Sequence, residues 1–322
     1  MDKISYLTNS KDNRGIYKNN KEKFSYFVLL ILSLFIMIIS KVLTPSINIY
    51  DLIINIITLG SFLLIISYGQ SLVVLLGGLD LSVPSTVMIG GILSSTFSSE
   101  NTITEIIILI FICFSGFLIG LINGFGVSFL KIPPFIMTMG CNIIFASIAL
   151  GSTGGSTLGG APYLLNYIIR GNPLLLPNIV YLIIIFSLIA YFVQNKTLYG
   201  RYLYLSGSNI KSAIISGIPT HRVTIITYAI SALVCSFCGC ILTGYANGAT
   251  LSMGELYLIP SISAVVIGGF AISGGVGSFL GLSTGVLFLT TLDSVISATS
   301  LSQGWRMIVS GMIILFAVIL KK

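Results

Sequence analysis

Few residues in this sequence could carry acid–base or nucleophilic chemistry. Of its nine acidic residues, only Asp80 and Asp293 could form a carboxylate pair for aspartyl proteolysis inside a membrane, and neither lies in the Gly-x-Gly-Asp context of such proteases. Serine proteolysis in a membrane would need a buried histidine, but the single histidine, His221, lies beside Arg222 at the start of an apolar segment. The residue types therefore disfavour an enzyme.

A nucleotide site and a metal site are also disfavoured. The sequence contains no Gly-Lys-Ser or Gly-Lys-Thr, so it has no phosphate-binding loop of the kind that ATPases use. Cys235, Cys238 and Cys240 form a C-x-x-C-x-C run, but it lies in an apolar segment without a nearby histidine or carboxylate. We expect these cysteines to pack between helices, and we predict no metal and no cofactor.

The composition is that of a membrane protein. Of the 322 residues, 55% are hydrophobic and only 8% are charged, whereas soluble domains have about 25% charged residues. We predict an all-α polytopic protein with about ten transmembrane helices. The predicted apolar segments are 24–40, 51–76, 83–98, 104–130, 134–152, 178–195, 223–246, 256–272, 277–297 and 304–320.

The basic residues predict the orientation of these segments. With ten crossings, 13 of the 16 Lys and Arg residues fall on one side, which the positive-inside rule assigns to the cytoplasm. This accounts for the net charge of +7 without a nucleic acid partner. Residues 1–23 are then a cytoplasmic segment, 24–322 are one transmembrane domain, and both termini are cytoplasmic. The short eighth segment could instead be re-entrant, leaving eight or nine crossings.

Residues 197–222 form a long polar interruption on the predicted cytoplasmic side. Within it, Ser208 or Asn209 can cap a two-turn helix that ends at Gly217 and Pro219. The apolar residues Ile210, Ala213 and Ile214 follow helical spacing. Because so short a helix is marginal in water, we expect its apolar residues to be buried against the membrane domain or against a second protein.

Residues 77–85, with the sequence GGLDLSVPS, interrupt the apolar pattern. Ser82 or Asp80 can cap the helix that Pro84 helps to start. A carboxylate at the bilayer centre costs at least about 2.5 to 3.5 kcal/mol, so Asp80 should face protein, water or a helix N-terminus. We favour a capping role for Asp80 over contact with a substrate.

The predicted apolar segments also contain two series of regularly spaced glycines and four polar residues. Small residues at intervals of four allow close helix packing, and Gly116, Gly120 and Gly124 form one such series, with Gly277, Gly281 and Gly285 forming another. Their positions on the fourth and ninth segments are compatible with an inverted repeat. The polar residues Gln70, Asn123, Thr138 and Asn142 should face neighbouring helices or a translocation path, since lipid cannot satisfy them.

The chain resembles the permease subunits of bacterial ABC importers for ribose and related monosaccharides. GGLDLSVPS is similar to their GGIDLSVG signature, with Pro84 replacing a glycine, and the likeness extends from about residue 50 to 320. It includes residues 116–140, the TGGSTLGGAP stretch at 153–162, and residues 254–281. The family usually has Arg-Gly where this chain has Ala146 and Ser147, and Asn-Gly where it has Asp293 and Ser294.

The resemblance implies that residues 197–222 couple the chain to a separate ATPase. The matching positions are Gly200, Arg201, Gly207, Asn209, Ala213, Ser216 and Gly217. The expected assembly in the bacterial inner membrane contains two ATPase subunits, a second permease subunit, identical or different, and an external solute-binding protein. An alternative is a secondary transporter in which Asp80 and Asp293 carry the coupling ion.

Overall fold

The computed structural model describes residues 25–42, 48–99, 101–171 and 176–298, together with positions 304, 305, 308, 311 and 312. Over these residues the regular elements are helices and two short strands, which confirms the predicted all-α class. The elements in chain order are α1 (Ser25–Val42), α2 (Ile49–Leu75), α3 (Val83–Thr96), α4 (Thr102–Ser128), α5 (Pro134–Thr153), β1 (Leu158–Gly159), α6 (Tyr163–Arg170), α7 (Asn178–Lys196), α8 (Leu198–Ser208), α9 (Ile210–Ile215), α10 (Thr220–Ala246), β2 (Gly248–Ala249), α11 (Glu255–Ile267) and α12 (Phe279–Ser297).

Seven of these helices are long and apolar enough to cross a membrane, namely α1, α2, α4, α5, α7, α10 and α12. The predicted third and eighth segments form the shorter apolar helices α3 and α11. At 1.5 Å per residue they are about 21 and 20 Å long, less than the roughly 30 Å of a hydrocarbon core. The predicted tenth segment lies largely outside the described residues, as does the N-terminal segment 1–23.

The helices are short at these two places because a non-helical segment adjoins each of them. Residues 76–82 separate α2 from α3, and we call them the first break. Residues 268–278 separate α11 from α12, and we call them the second break. Non-helical backbone at membrane depth is tolerated only where protein or water satisfies it, so the surroundings of both breaks bear on function.

The connections between helices gather at two ends of the bundle. At one end the Gly275 N–H donates to the Leu75 carbonyl oxygen (2.9 Å), and Ser128 Oγ lies 2.8 Å from His221 Nδ1. This end also carries exposed basic residues, so we call it the basic end: Lys131, Lys196, Arg201, Lys211 and Arg222. The assignment of this end to the cytoplasm stays a prediction.

The opposite end is tied together by the connection between α5 and α7. β1 pairs with β2 antiparallel, and the Glu105 carboxylate accepts the Tyr163 and Leu164 N–H groups at the start of α6 (2.6 and 2.7 Å). The predicted apolar segments end at 152 and resume at 178, so both α6 and its carboxylate cap were missed. A carboxylate at a helix N-terminus satisfies free N–H groups and the helix dipole together.

α10 is the central helix, packed most extensively against α4, α3 and α2. The predicted glycine face of α4 makes the closest of these contacts. A Cβ on Gly120 would meet the Tyr228 carbonyl oxygen, and one on Gly124 would lie 2.6 Å from Ile225 Cα. The cysteine run lies inside the same core, where Cys238 Sγ is 3.5 Å from the Phe62 carbonyl oxygen and Cys240 Sγ is 3.5 Å from Ser94 Oγ.

The second glycine series is only partly helical, which corrects the prediction. Gly281 and Gly285 pack α12 against Gly268 and Ala264 at the end of α11, as expected for small residues. Gly277, however, lies in the second break, because α12 begins at Phe279 after the cap Ser278. The inverted repeat stays a prediction.

Candidate functional site

Side chains from three other helices, α4, α5 and α10, hold the first break and the start of α3. The Leu81 N–H donates to Thr138 Oγ1 (3.0 Å), and the Ser85 N–H donates to Asn142 Oδ1 (3.0 Å). Both acceptors lie on α5, one turn apart, so that their side chains occupy the same face. They satisfy N–H groups around the start of α3 that have no partner within the helix.

Asp80 is the centre of the polar contacts in this break. Its side chain is only 1% exposed. Oδ1 accepts the Ser82 N–H (2.9 Å) and the Ser82 hydroxyl (2.6 Å), and Oδ2 accepts the hydroxyl of Ser231 on α10 (3.1 Å). Asn123 on α4 extends the network by donating from Nδ2 to Ser82 Oγ (2.8 Å). The carboxylate accepts the N–H two residues ahead, as in an Asx-turn, but this N–H belongs to Ser82, the residue before α3, and α3 has no side-chain cap hydrogen bond. A capping role for Asp80 stays a prediction.

Three of the four predicted path residues therefore converge on the first break. Asn123, Thr138 and Asn142 come from α4 and α5, whose neighbourhood could not be read from the sequence. Gln70 lies on α2, fully buried, and neither of its amide atoms has a hydrogen-bond partner among the described residues. Ser231 was missed because nothing in the sequence distinguishes it from the other serines of apolar segments.

Asp293 lies apart from this network. It is in the last two turns of α12 with an exposed side chain, towards the opposite end of the bundle. Asp80, by contrast, belongs to a break at the basic end. The two carboxylates are therefore not a pair.

The polar stretch 197–222 contains two helices and not one. α8 was not predicted, but the short predicted helix is present as α9. Asn209 caps it by accepting the Ser212 N–H (3.0 Å), and Gly217 ends it in a left-handed conformation (φ +76°). The Ile218 N–H then donates to the Ala213 carbonyl oxygen (3.0 Å), a C-terminal closure typical of helices ended by glycine.

The apolar side chains of α9 are divided between two surroundings. Ala213 is only 3% exposed, so it faces the body of its own chain. Ile210 and Ile214 are each 56% exposed and Ile215 is 87% exposed. Three isoleucines on one short capped helix leave an apolar surface at the basic end, close to Lys211.

Most of the remaining residues of the predicted coupling stretch belong to α8. The Gly200 N–H donates to Thr197 Oγ1 (3.1 Å) in the first turn, Arg201 is exposed, and Ser216 follows the last turn of α9. The Tyr199 hydroxyl lies 2.9 Å from Thr227 Oγ1 of α10. Burial raises the pKa of Tyr199 well above its usual range, and the hydrogen bond ties α8 to α10.

Sequence comparison places this arrangement in a known group of transport proteins. Residues 52–318 match the profile of the family described as branched-chain amino acid transport system / permease component. The chain belongs to this family. The match covers both breaks and the α8–α9 stretch, so the features described above all lie within the family's domain.

Among individual relatives, this permease is most informatively compared with three sugar importers. It is 30% identical to the galactose/methyl galactoside import permease protein of Haemophilus influenzae, over 92% of this chain and 93% of the relative. It is 32% identical to the ribose import permease protein of Bacillus subtilis (90% and 91%) and 30% identical to the fructose import permease protein of Rhizobium meliloti (79% and 73%). No solved structure matched.

These relatives confirm that the chain is a membrane subunit of an importer. The alignments with the galactose and ribose permeases cover nearly the whole length of each protein, so the likeness is not confined to one motif. The comparison supports an ABC importer permease over an ion-coupled secondary transporter.

Proposed function

We propose that this chain is the membrane-spanning subunit of an ATP-driven importer for a monosaccharide, in the bacterial inner membrane with both termini in the cytoplasm. The observation that carries this proposal is the likeness to galactose and ribose import permeases over at least 90% of each chain, and to a fructose import permease over 79% of this chain. The basic end supports the orientation, because exposed Lys and Arg residues favour the cytoplasmic side.

The partners are those that the resemblance to ABC importer permeases implies. A separate ATPase subunit docks on α9 at the basic end, where Ile210, Ile214 and Ile215 are uncovered. An external solute-binding protein docks at the opposite end, and a second permease subunit completes the membrane part. ATP binding closes the ATPase pair, moves α9, and tilts the packed helices so that a central path opens to the other side.

The polar residues divide into two roles in this mechanism. Asp80, Asn123, Thr138 and Asn142 hold the first break and define where α3 begins. Gln70 is the best candidate for contact with the solute, because its buried amide has no partner among the described residues. A sugar hydroxyl could both donate to and accept from such an amide.

Replacing Ile215 with aspartate should weaken docking of the ATPase. Burying an isoleucine side chain is worth about 1.5 to 3 kcal/mol, so its loss corresponds to roughly ten- to a hundredfold in affinity. We expect the variant to insert normally, because α9 lies outside the candidate spans, and to lose ATPase co-purification. The measurement is the amount of ATPase retained on affinity-tagged permease.

The matched control is Leu205→Asp, which places the same charge at another exposed apolar side chain of the basic end, on α8 outside the candidate spans. It should retain the ATPase at the wild-type level. Equal retention by Ile215→Asp and the control would rule out α9 as the docking element.

A further inference from the structure

The C-terminal end of α8 lies directly against both helix breaks. A Cβ added to Gly207 would meet the Leu75 carbonyl oxygen at the end of α2 and would lie 2.8 Å from the Gly275 nitrogen of the second break. A Cβ on Gly274 would lie 2.8 Å from the Gly207 carbonyl oxygen and 2.9 Å from the Gly77 nitrogen. Three stretches of backbone therefore meet here without side chains between them.

Hydrogen bonds connect the same three stretches. The Gly275 N–H donates to the Leu75 carbonyl oxygen (2.9 Å), which links the two breaks to each other. The Tyr204 hydroxyl, on α8, donates to the Gly277 carbonyl oxygen (2.8 Å) and accepts from Gln194 Nε2 on α7 (2.7 Å). Gly277 immediately precedes Ser278, the cap of α12, so Tyr204 ties α8 to the start of that helix.

We propose that Gly207 and Tyr204 are positioning residues that transmit movement of α9 to both helix breaks at once. This inference rests on the proposed function, in which the ATPase docks on α9. Gly207 and Tyr204 lie on α8, between α9 and the two breaks. Only Asn209 separates the end of α8 from the start of α9. A shift of α9 therefore displaces the end of α8.

Close packing explains why the displacement is passed on. Interiors packed at van der Waals contact transmit strain, and backbone atoms cannot rotate away as a long side chain can. Gly77 lies in the first break three residues before Asp80, and Gly277 lies in the second break two residues before α12 begins. The junction thus connects the ATPase face to the network that fixes α3 and to the entry of α12.

The Gly207→Ala variant tests the steric contact. Gly207 lies inside α8, where alanine is favoured over glycine by about 1 kcal/mol, so the helix itself gains from the change. The methyl group must push α8 away from Leu75 and Gly275. Ser208→Ala is the matched control, because it is the next residue of the same helix and its side chain is exposed.

The Tyr204→Phe variant tests the hydrogen-bonded contact without changing the packing volume. It keeps the ring and removes the hydroxyl that Gly277 and Gln194 share. Because the change is conservative, it remains informative if Gly207→Ala reduces assembly.

The experiment uses the complete complex of permease, ATPase and solute-binding protein in lipid nanodiscs. The measurement is the ratio of ATP hydrolysis with solute-loaded binding protein to hydrolysis without it. We expect a drop of at least fivefold in this ratio for Gly207→Ala and Tyr204→Phe, with the ATPase still bound, and no change for Ser208→Ala. A purely structural role would lower the yield of complex and leave the ratio of the surviving complex intact.

Each outcome decides the question. A wild-type ratio in assembled Tyr204→Phe and Gly207→Ala complexes would overturn the proposal, and if Gly207→Ala fails to assemble, the Tyr204→Phe ratio alone decides. Failure of the proposed function would look different, since a wild-type chain that binds no ATPase shows no hydrolysis to stimulate.

Discussion

Replacing Asp80 with alanine should abolish uptake and destabilise the protein by an amount on the order of 3 kcal/mol or more. The Ser82 N–H, the Ser82 hydroxyl and the Ser231 hydroxyl would all lose their acceptor in a buried site. A buried donor left without a partner costs about 1 to 3 kcal/mol. Thermal unfolding in detergent and sugar uptake at matched expression levels measure the two effects.

The Asp80→Asn variant separates the capping role from an ion-carrying role. Its carbonyl oxygen can still accept from Ser82, and its NH₂ group can donate to Ser231 Oγ, because a hydroxyl both donates and accepts. We expect this variant to keep the fold and to transport within a few fold of the wild type. If it is as inactive as Asp80→Ala while folding normally, the negative charge itself is required, and the capping account of Asp80 is wrong.

Gly217→Val should uncouple transport from ATP hydrolysis, with uptake falling tenfold or more. Gly217 has φ +76°, a conformation that costs a residue with a Cβ about 1 to 2 kcal/mol and costs a β-branched residue more. α9 has only six residues, so a penalty of this size at its end is enough to unfold it. Uptake, ATPase retention and stimulated hydrolysis should fall together while membrane insertion is unaffected.

Gly217→Asn is the matched control for this position. Asparagine tolerates the left-handed region better than other residues with a side chain, and a Cβ on Gly217 would meet no atom within 4 Å among the described residues. The variant should therefore keep most of the uptake. Equal loss in the valine and asparagine variants would show that backbone conformation is not what matters at this residue.

Much of the helical framework could be predicted from the sequence, because apolar runs of membrane length and the breaks between them are local signals. α9 and its cap were found for the same reason, since Asn209 and Gly217 mark its two ends. The Gly116, Gly120 and Gly124 face was found because close helix packing needs small residues at that spacing.

Features that depend on distant segments were not predictable in this way. Thr138 and Asn142 can accept the Leu81 and Ser85 N–H groups only because α5 lies beside α3. The periodicity of apolar residues does not show which helices are neighbours. The Glu105 cap of α6 joins residues 58 positions apart, and the junction of Gly207 with Leu75 and Gly275 joins three remote segments. α6 and α8 were missed because they are short and adjoin or contain residues rich in glycine or polar side chains.

The most direct test of the importer account is sugar uptake by the purified permease in proteoliposomes, with its ATPase and solute-binding protein, while ionophores hold all ion gradients at zero. The account predicts that uptake of a labelled monosaccharide continues under these conditions, requires ATP, and stops when the ATPase subunit is omitted. Uptake that proceeds without the ATPase and collapses when the ionophores are added would contradict it and identify an ion-coupled transporter.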